Sequence, residues 1–137
     1  MPTFAVRFAE GVDHFNAGRF WEAHESWEVL WLPARTDMRQ FLQGLIQLAA
    51  AYLHLGRSNL SGSIRLYDAA LSRLEGFPAE YCGVDLESLL RKAVADRAGA
   101  AQSLESIEQA HGARLSDSPR LILAQNWDSK VPQGERW

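Results

Sequence analysis

Apolar residues recur along most of the chain at spacings of three and four, the period of helices with one greasy face. Phe4, Phe8, Gly11, Val12 and Phe15 form the first such stripe, which predicts a helix over 4–16 stopped near Gly18. A second helix is predicted over 20–32, ending before Pro33. At about 100° per residue, Phe20, Ala23, Trp27, Leu30 and Trp31 share one face. His24 falls within that face and Glu28 at its edge, one turn later. Glu25 lies beside Trp21 and Glu28, while Glu22 and Ser26 point the other way.

The third helix, predicted over 37–55 with Thr36 or Asp37 as its cap, is the most apolar. Phe41, Leu45, Leu48, Ala49, Tyr52 and Leu55 form its main face, and Leu42, Ile46 and Leu53 widen it, as expected of a helix in the middle of a bundle. A fourth helix starts at Asn59 or Leu60 and runs to Glu75, where Gly76 and Pro78 end it. The linker FPAEYCGVD follows, with no strand expected because no run of alternating β-branched residues occurs. A fifth helix opens after Asp85 with the capping-box-like DLES and carries its stripe to Ile107, with a kink or break expected at Arg97 and Gly99 and a close at His111-Gly112. The pattern predicts an all-α fold: a single-domain bundle of about five helices over 1–115, with an irregular, extended tail over 116–137. The tail's one apolar cluster, LILA at 121–124, is expected to lie across the bundle, with about the last ten residues mobile. Gly18, Phe20, Ala23 and Trp27 match the spacing of a tetratricopeptide-type hairpin, and Ser63, Tyr67 and Ala70 echo it ~40 residues later. Two helix hairpins packed side by side would account for the echo.

Composition narrows the function classes. The chain has 137 residues, a formal net charge of −3 and 47% hydrophobic residues, which suits one globular domain with a real core. The acidic balance argues against a nucleic-acid binder. Cys82 is the single cysteine, so an internal disulfide and a multi-cysteine zinc site are both excluded. The N-terminus lacks a basic start followed by an apolar run, and the greasiest stretch, 45–55, is too short to span a bilayer. No membrane partner and a cytoplasmic location are therefore expected.

The densest chemistry lies in FWEAHESWEVLW, residues 20–31. Tryptophan rings exclude water, and a carboxylate held beside them is poorly solvated and suited to acid–base work. His24 with Glu28 or Glu25 therefore makes a candidate proton-transfer pair. A histidine on an apolar face is, however, most often a core residue with satisfied nitrogens. HESWE departs from the HExxH zinc motif, because Glu28 stands where the second histidine is needed. A metal would require a ligand from another helix, and His24, Glu28 and His54 form the candidate set. On the third helix, Gln43, Gln47 and His54 line up in one polar stripe. The stripe is either the wet edge of a buried helix or a seam facing the second helix, where buried glutamines need partners.

FNAGRFWEAHESWEVLW, then FLQGLIQLAAAYLHL, then GRSNLSGSIRLYDAALSRL resembles the DUF309 family of small bacterial and archaeal proteins over about residues 8–80. The resemblance implies an all-helical fold and supplies no reaction. Its patterned positions fall on Gly18, Glu22, His24, Glu25, Glu28, Trp31, Gln43, Gly44, Gln47 and His54, and Trp27 stands where many members carry an aliphatic residue.

Taken together, these readings favour a pocket between the second and third helices that binds a small ligand or metal and is open to catalysis. His24, Glu25 and Glu28 are its acid–base candidates; Glu22, Trp27, Trp31, Gln43, Gln47 and His54 are its binding residues. No cofactor is specified. The alternative is a helix-hairpin module for protein interaction or homo-oligomerisation, to which the five tryptophans and the wide apolar third helix would lend surface.

Overall fold

The Thr3 hydroxyl accepts a hydrogen bond from the Val6 amide at 3.2 Å and so starts the first helix, α1, Phe4–Asn16. The computed structural model describes residues 3–107 and 121–123. Gly18 takes φ +78°, a left-handed conformation that glycine adopts without a Cβ penalty, and turns the chain into α2, Phe20–Trp31. α3 is Thr36–Gly56, α4 is Leu60–Leu74 and α5 is Leu86–Glu105. Each helix packs chiefly on the next in chain order, which makes α1/α2 and α3/α4 two hairpins joined through the α2–α3 contact. The protein is an all-α bundle. α3 lies in its middle: Phe41, Leu45, Leu48 and Ala49 are fully buried, and Leu42, Ile46 and Ala51 bury its other sides.

Close approach between helices is bought with glycine. At Gly11 a Cβ would come within 2.2 Å of the Trp27 indole nitrogen, so only a bare backbone lets α1 meet α2 there. The Trp27 side chain is 0% exposed and donates its N–H to the Phe8 carbonyl at 3.3 Å. Phe8 and Phe15 flank it, with ring centroids at 6.2 and 5.9 Å. At Gly44 the same device brings α4 onto α3, since a Cβ would lie 2.5 Å from Leu74 Cγ.

Several local features differ from the sequence expectation. Neither Thr36 nor Asp37 caps α3: Arg35 is the N-cap residue and no side chain bonds there, while Thr36 itself takes φ +51°. The end of α2 is held instead by Arg39, whose Nη1 donates to the carbonyls of Trp31, Leu32 and Ala34 at 3.0, 3.2 and 3.3 Å. The linker contains a two-stranded antiparallel hairpin, β1 Glu80–Tyr81 and β2 Val84–Asp85. Cys82 at φ +53° and Gly83 at φ +78° supply the pair of left-handed residues that a two-residue hairpin turn needs. Asp85 caps α5 as its position suggests, accepting from the Ser88 amide at 3.1 Å. α5 then runs unbroken past Arg97 and Gly99 to Glu105. Gly99 has open space around it, and Arg97 turns outward to α4, forking onto Asp68 at 3.0 and 3.2 Å, so neither disturbs the helix. Within the tail, Leu121 exchanges two hydrogen bonds with the Asn16 side chain, and Leu123 bridges to Val84. His111, Gly112 and the rest of the tail lie outside the described residues.

One polar cluster is sealed among α3, α4 and α5. The Tyr52 hydroxyl donates to Asp96 Oδ2 at 2.6 Å, and Lys92 Nζ donates to Asp96 Oδ1 at 2.8 Å. The Tyr67 ring meets Tyr52 edge-on at 5.2 Å, and its buried hydroxyl makes no hydrogen bond among the described residues. Burial pushes both phenols above the ordinary tyrosine range, and Asp96 adds to the shift, through the hydrogen bond at Tyr52 and through its charge at Tyr67.

Two predictions follow from this packing. Gly11→Ala forces the Trp27 indole to move and costs about 1–3 kcal/mol, seen as a lower thermal midpoint, whereas Gly99→Ala leaves the midpoint unchanged or raises it. Tyrosines in the unfolded chain ionise near pH ~10, and Tyr52 and Tyr67 in the folded chain ionise higher. Stability is therefore intact below that point and falls as pH rises past it. Urea midpoints compared between about pH 9 and 11 should drop, and less so in Tyr52→Phe than in the parent.

Candidate functional site

The α2 residues divide between core and surface. His24 is 25% exposed: Nε2 lies 3.4 Å from Glu28 Oε2, its ring stacks on Trp21 at 5.4 Å, and Nδ1 is buried with no hydrogen-bond partner. Glu22, Glu25 and Glu28 are exposed, and Ser26, expected to face outward, is buried. His24 and Glu28 thus pair as their one-turn spacing predicts, at the rim of the bundle. Trp27 is core, with its single polar atom already committed to Phe8. Trp31 is half-buried beneath Arg39, whose guanidinium carbon sits 3.8 Å over the ring.

On α3, His54 occupies the last turn. Its Nδ1 accepts from the Asn59 side-chain amide at 2.9 Å, while Asn59 Oδ1 accepts from the Gly62 amide and caps α4. His54 therefore ties the end of one helix to the start of the next. Among the described residues no group of three His, Cys, Asp or Glu side chains is placed to hold a metal ion. His24, Glu28 and His54 are therefore not gathered into one such group: the pair on α2 stands at the rim, and His54 Nδ1 is used in the α3–α4 turn.

Gln43 and Gln47 are both half-buried, one turn apart. Gln47 borders an open cleft of about 800 Å³ on the flank of α3 that faces α4 and the segment leading into the hairpin. Asp37 and Gln40 join it from α3, and Ser72 and Arg73 face them from α4. Phe77 and Tyr81 complete the wall, their ring centroids 4.8 Å apart and each packed on Phe41. Gln47 Oε1 is buried without a hydrogen-bond partner. Arg73 Nη1 donates to Gln40 Oε1. His24, Glu25, Glu28 and His54 do not line this cleft.

The cleft exists because of backbone geometry set elsewhere. The Gly44–Leu74 contact draws the last turn of α4 against α3 and fixes which α4 residues face Gln40 and Gln47. Gly76 and Pro78 then end α4, and the hairpin carries Tyr81 back to Phe41. Sequence reasoning found Gln47 through its polar spacing on an otherwise apolar helix. It missed Arg73, Phe77 and Tyr81, whose only signal was their place just before and after a helix stop.

No helix among the described residues is long and apolar enough to cross a membrane. Among curated proteins none matches the chain. Residues 8–66 match the family model described as the domain of unknown function DUF309. That stretch runs from within α1 into α4, and it contains the His24–Glu28 pair and Gln47 but stops short of Arg73 and the hairpin. The match from Phe8 to Leu66 supports assignment to the DUF309 family.

Proposed function

We propose that the protein binds a small molecule in the cleft between α3, α4 and the hairpin. The observation that carries this reading is a cleft of about 800 Å³ where Gln40, Gln47, Ser72 and Arg73 converge beside the Phe77 and Tyr81 rings. The volume is that of small-molecule sites, and the lining has their usual make-up: an apolar wall with a few converging polar groups. His24 and Glu28 stand apart from the cleft, so an acid–base role for them is no part of this reading. Fragments of varied charge, titrated against the ¹⁵N-labelled chain, should include some that shift the amides of Gln40, Gln47, Ser72 and Phe77 saturably. Ser72→Trp, which fills the cleft, should abolish those shifts. If no fragment moves these amides, or the shifts survive Ser72→Trp, water is the only occupant and the reading falls.

A second reading, an interaction surface on the outer side of α2, is favoured by the exposure of Trp21, Val29 and Leu32 at 50, 47 and 64%. Self-association through this face predicts a sedimentation mass that rises with concentration and returns to 15.4 kDa in Trp21→Glu. A mass of one chain at every concentration excludes it.

A further inference from the structure

We propose that residues 121–123 act as a strap that holds Tyr81, and with it one wall of the cleft, in place. The strap works through the hairpin and does not depend on what the cleft binds.

The hairpin is too small to hold itself. Its strands, Glu80–Tyr81 and Val84–Asp85, are two residues each. An isolated pair of strands is at best marginally stable in water, and a third strand is what makes such a unit persist. The turn adds a cost of its own, because Cys82 at φ +53° sits in the left-handed region, where its Cβ is crowded. The Leu86 and Glu87 amides donate to the Ala79 carbonyl at 2.8 and 3.0 Å and close the base of the hairpin, but they do not reach the outer edge of β2.

Residues 121–123 take that edge. The Asp85 amide donates to the Ile122 carbonyl at 2.9 Å, and Leu123 forms an antiparallel bridge to Val84. Burial alternates as in a strand: Leu121 is buried, Ile122 exposed and Leu123 half-buried. The segment is fastened at its other end by Asn16, the last residue of α1 and 105 positions away in sequence. The Asn16 side-chain amide donates to the Leu121 carbonyl at 2.9 Å, and its side-chain oxygen accepts from the Leu121 amide. Used this way, the carboxamide offers the segment one donor and one acceptor, as a neighbouring strand would. From there the contacts run in one line. Val84 pairs with Tyr81 across the hairpin, and the Tyr81 ring packs on Phe41 and Phe77 with its centroid 4.8 Å from each. Tyr81 is the residue through which the hairpin lines the cleft. The strap thus ties the end of α1 to the cleft wall across two strands. Lifting it leaves the hairpin held only by its base and by the packing of its side chains.

Amide hydrogen exchange and the Tyr81 ring resonances of the full chain, with no ligand added, test this. In Asn16→Ala the Asp85 amide should exchange about fivefold faster or more, the size expected when a hydrogen bond is lost. The Tyr81 ring resonances should move toward those of an unpacked tyrosine. Alanine keeps the last turn of α1 helical, so the buried amides of α3 should exchange as in the parent. Leu121→Asp, which places a charge in a buried seat, should have the same two effects. Ile122→Ser should have neither, because that side chain is 57% exposed and the segment is held there by its carbonyl. An Asp85 amide that exchanges no faster in Asn16→Ala and Leu121→Asp overturns the strap. Faster exchange at Asp85 with the Tyr81 resonances unmoved overturns its hold on the cleft wall. Equal acceleration at Asp85 and throughout α3 overturns the proposal as well, since the segment would then contribute only general stability.

Discussion

Helix α4 lies against α3 at a separation that only a missing side chain permits, with Leu74 occupying the space a Cβ at position 44 would need. This contact sets the register of the two helices, and much of the molecule depends on it. It puts Ser72 and Arg73 opposite Gln40 and Gln47. It decides where the chain leaves α4, and therefore where the hairpin returns Tyr81 to the core beside Phe41. Gly11 plays the same part under Trp27, where the indole fills the groove between α1 and α2. A bundle joined by short turns has few means of fixing the rotation of one helix about its neighbour. A large side chain seated on a glycine is one of them, because sliding by one residue brings a Cβ into collision.

The molecule buries polar groups in two distinct ways. Around Asp96 both carboxylate oxygens accept, from Tyr52 and from Lys92, and the Tyr52 ring packs on Phe15, Phe20 and Tyr67, whose own hydroxyl is buried without a partner among the described residues. Such a network rewards one arrangement of α3, α4 and α5 and penalises others, since shifting any helix strands a charge. Around Gln47 the arrangement is looser: its side-chain oxygen is buried with no partner among the described residues, and two turns back on α3 Gln40 accepts from Arg73. His24 is intermediate, with one nitrogen facing Glu28 and the other buried and unpartnered beneath the Trp21 stack.

Most of the helical architecture was legible in the chain. The α1 boundaries, the middle position of α3, the Asp85 cap and the stop at Gly76 all follow from local preferences and from a 3.6-residue period. What escaped were features whose cause lies far along the chain. Arg39 reaches back from α3 to hold the carbonyls at the end of α2, eight and seven residues earlier. The hairpin at Cys82–Gly83 is too short for any strand pattern to register. Arg97 was read as an interruption because it breaks an apolar stripe, yet its partner Asp68 lies on α4. Gln47 stood out as polar on a greasy helix, but the flank it faces could not be read from spacing, since a stripe at the edge of a buried helix borders two neighbours at once.

The pairing of His24 with Glu28 was a matter of sequence alone, because residues four apart on a helix meet whatever the rest of the fold does. The same holds for the greasy faces and for most of the helix ends, which depend on residues a few positions away. Tertiary structure alone decided that Gln47 would share a cleft with Arg73, Phe77 and Tyr81. Those groups come from separate elements, and their meeting depends on helix rotations set by side-chain volume at Gly11 and Gly44, a three-dimensional constraint that leaves no periodic trace along the chain.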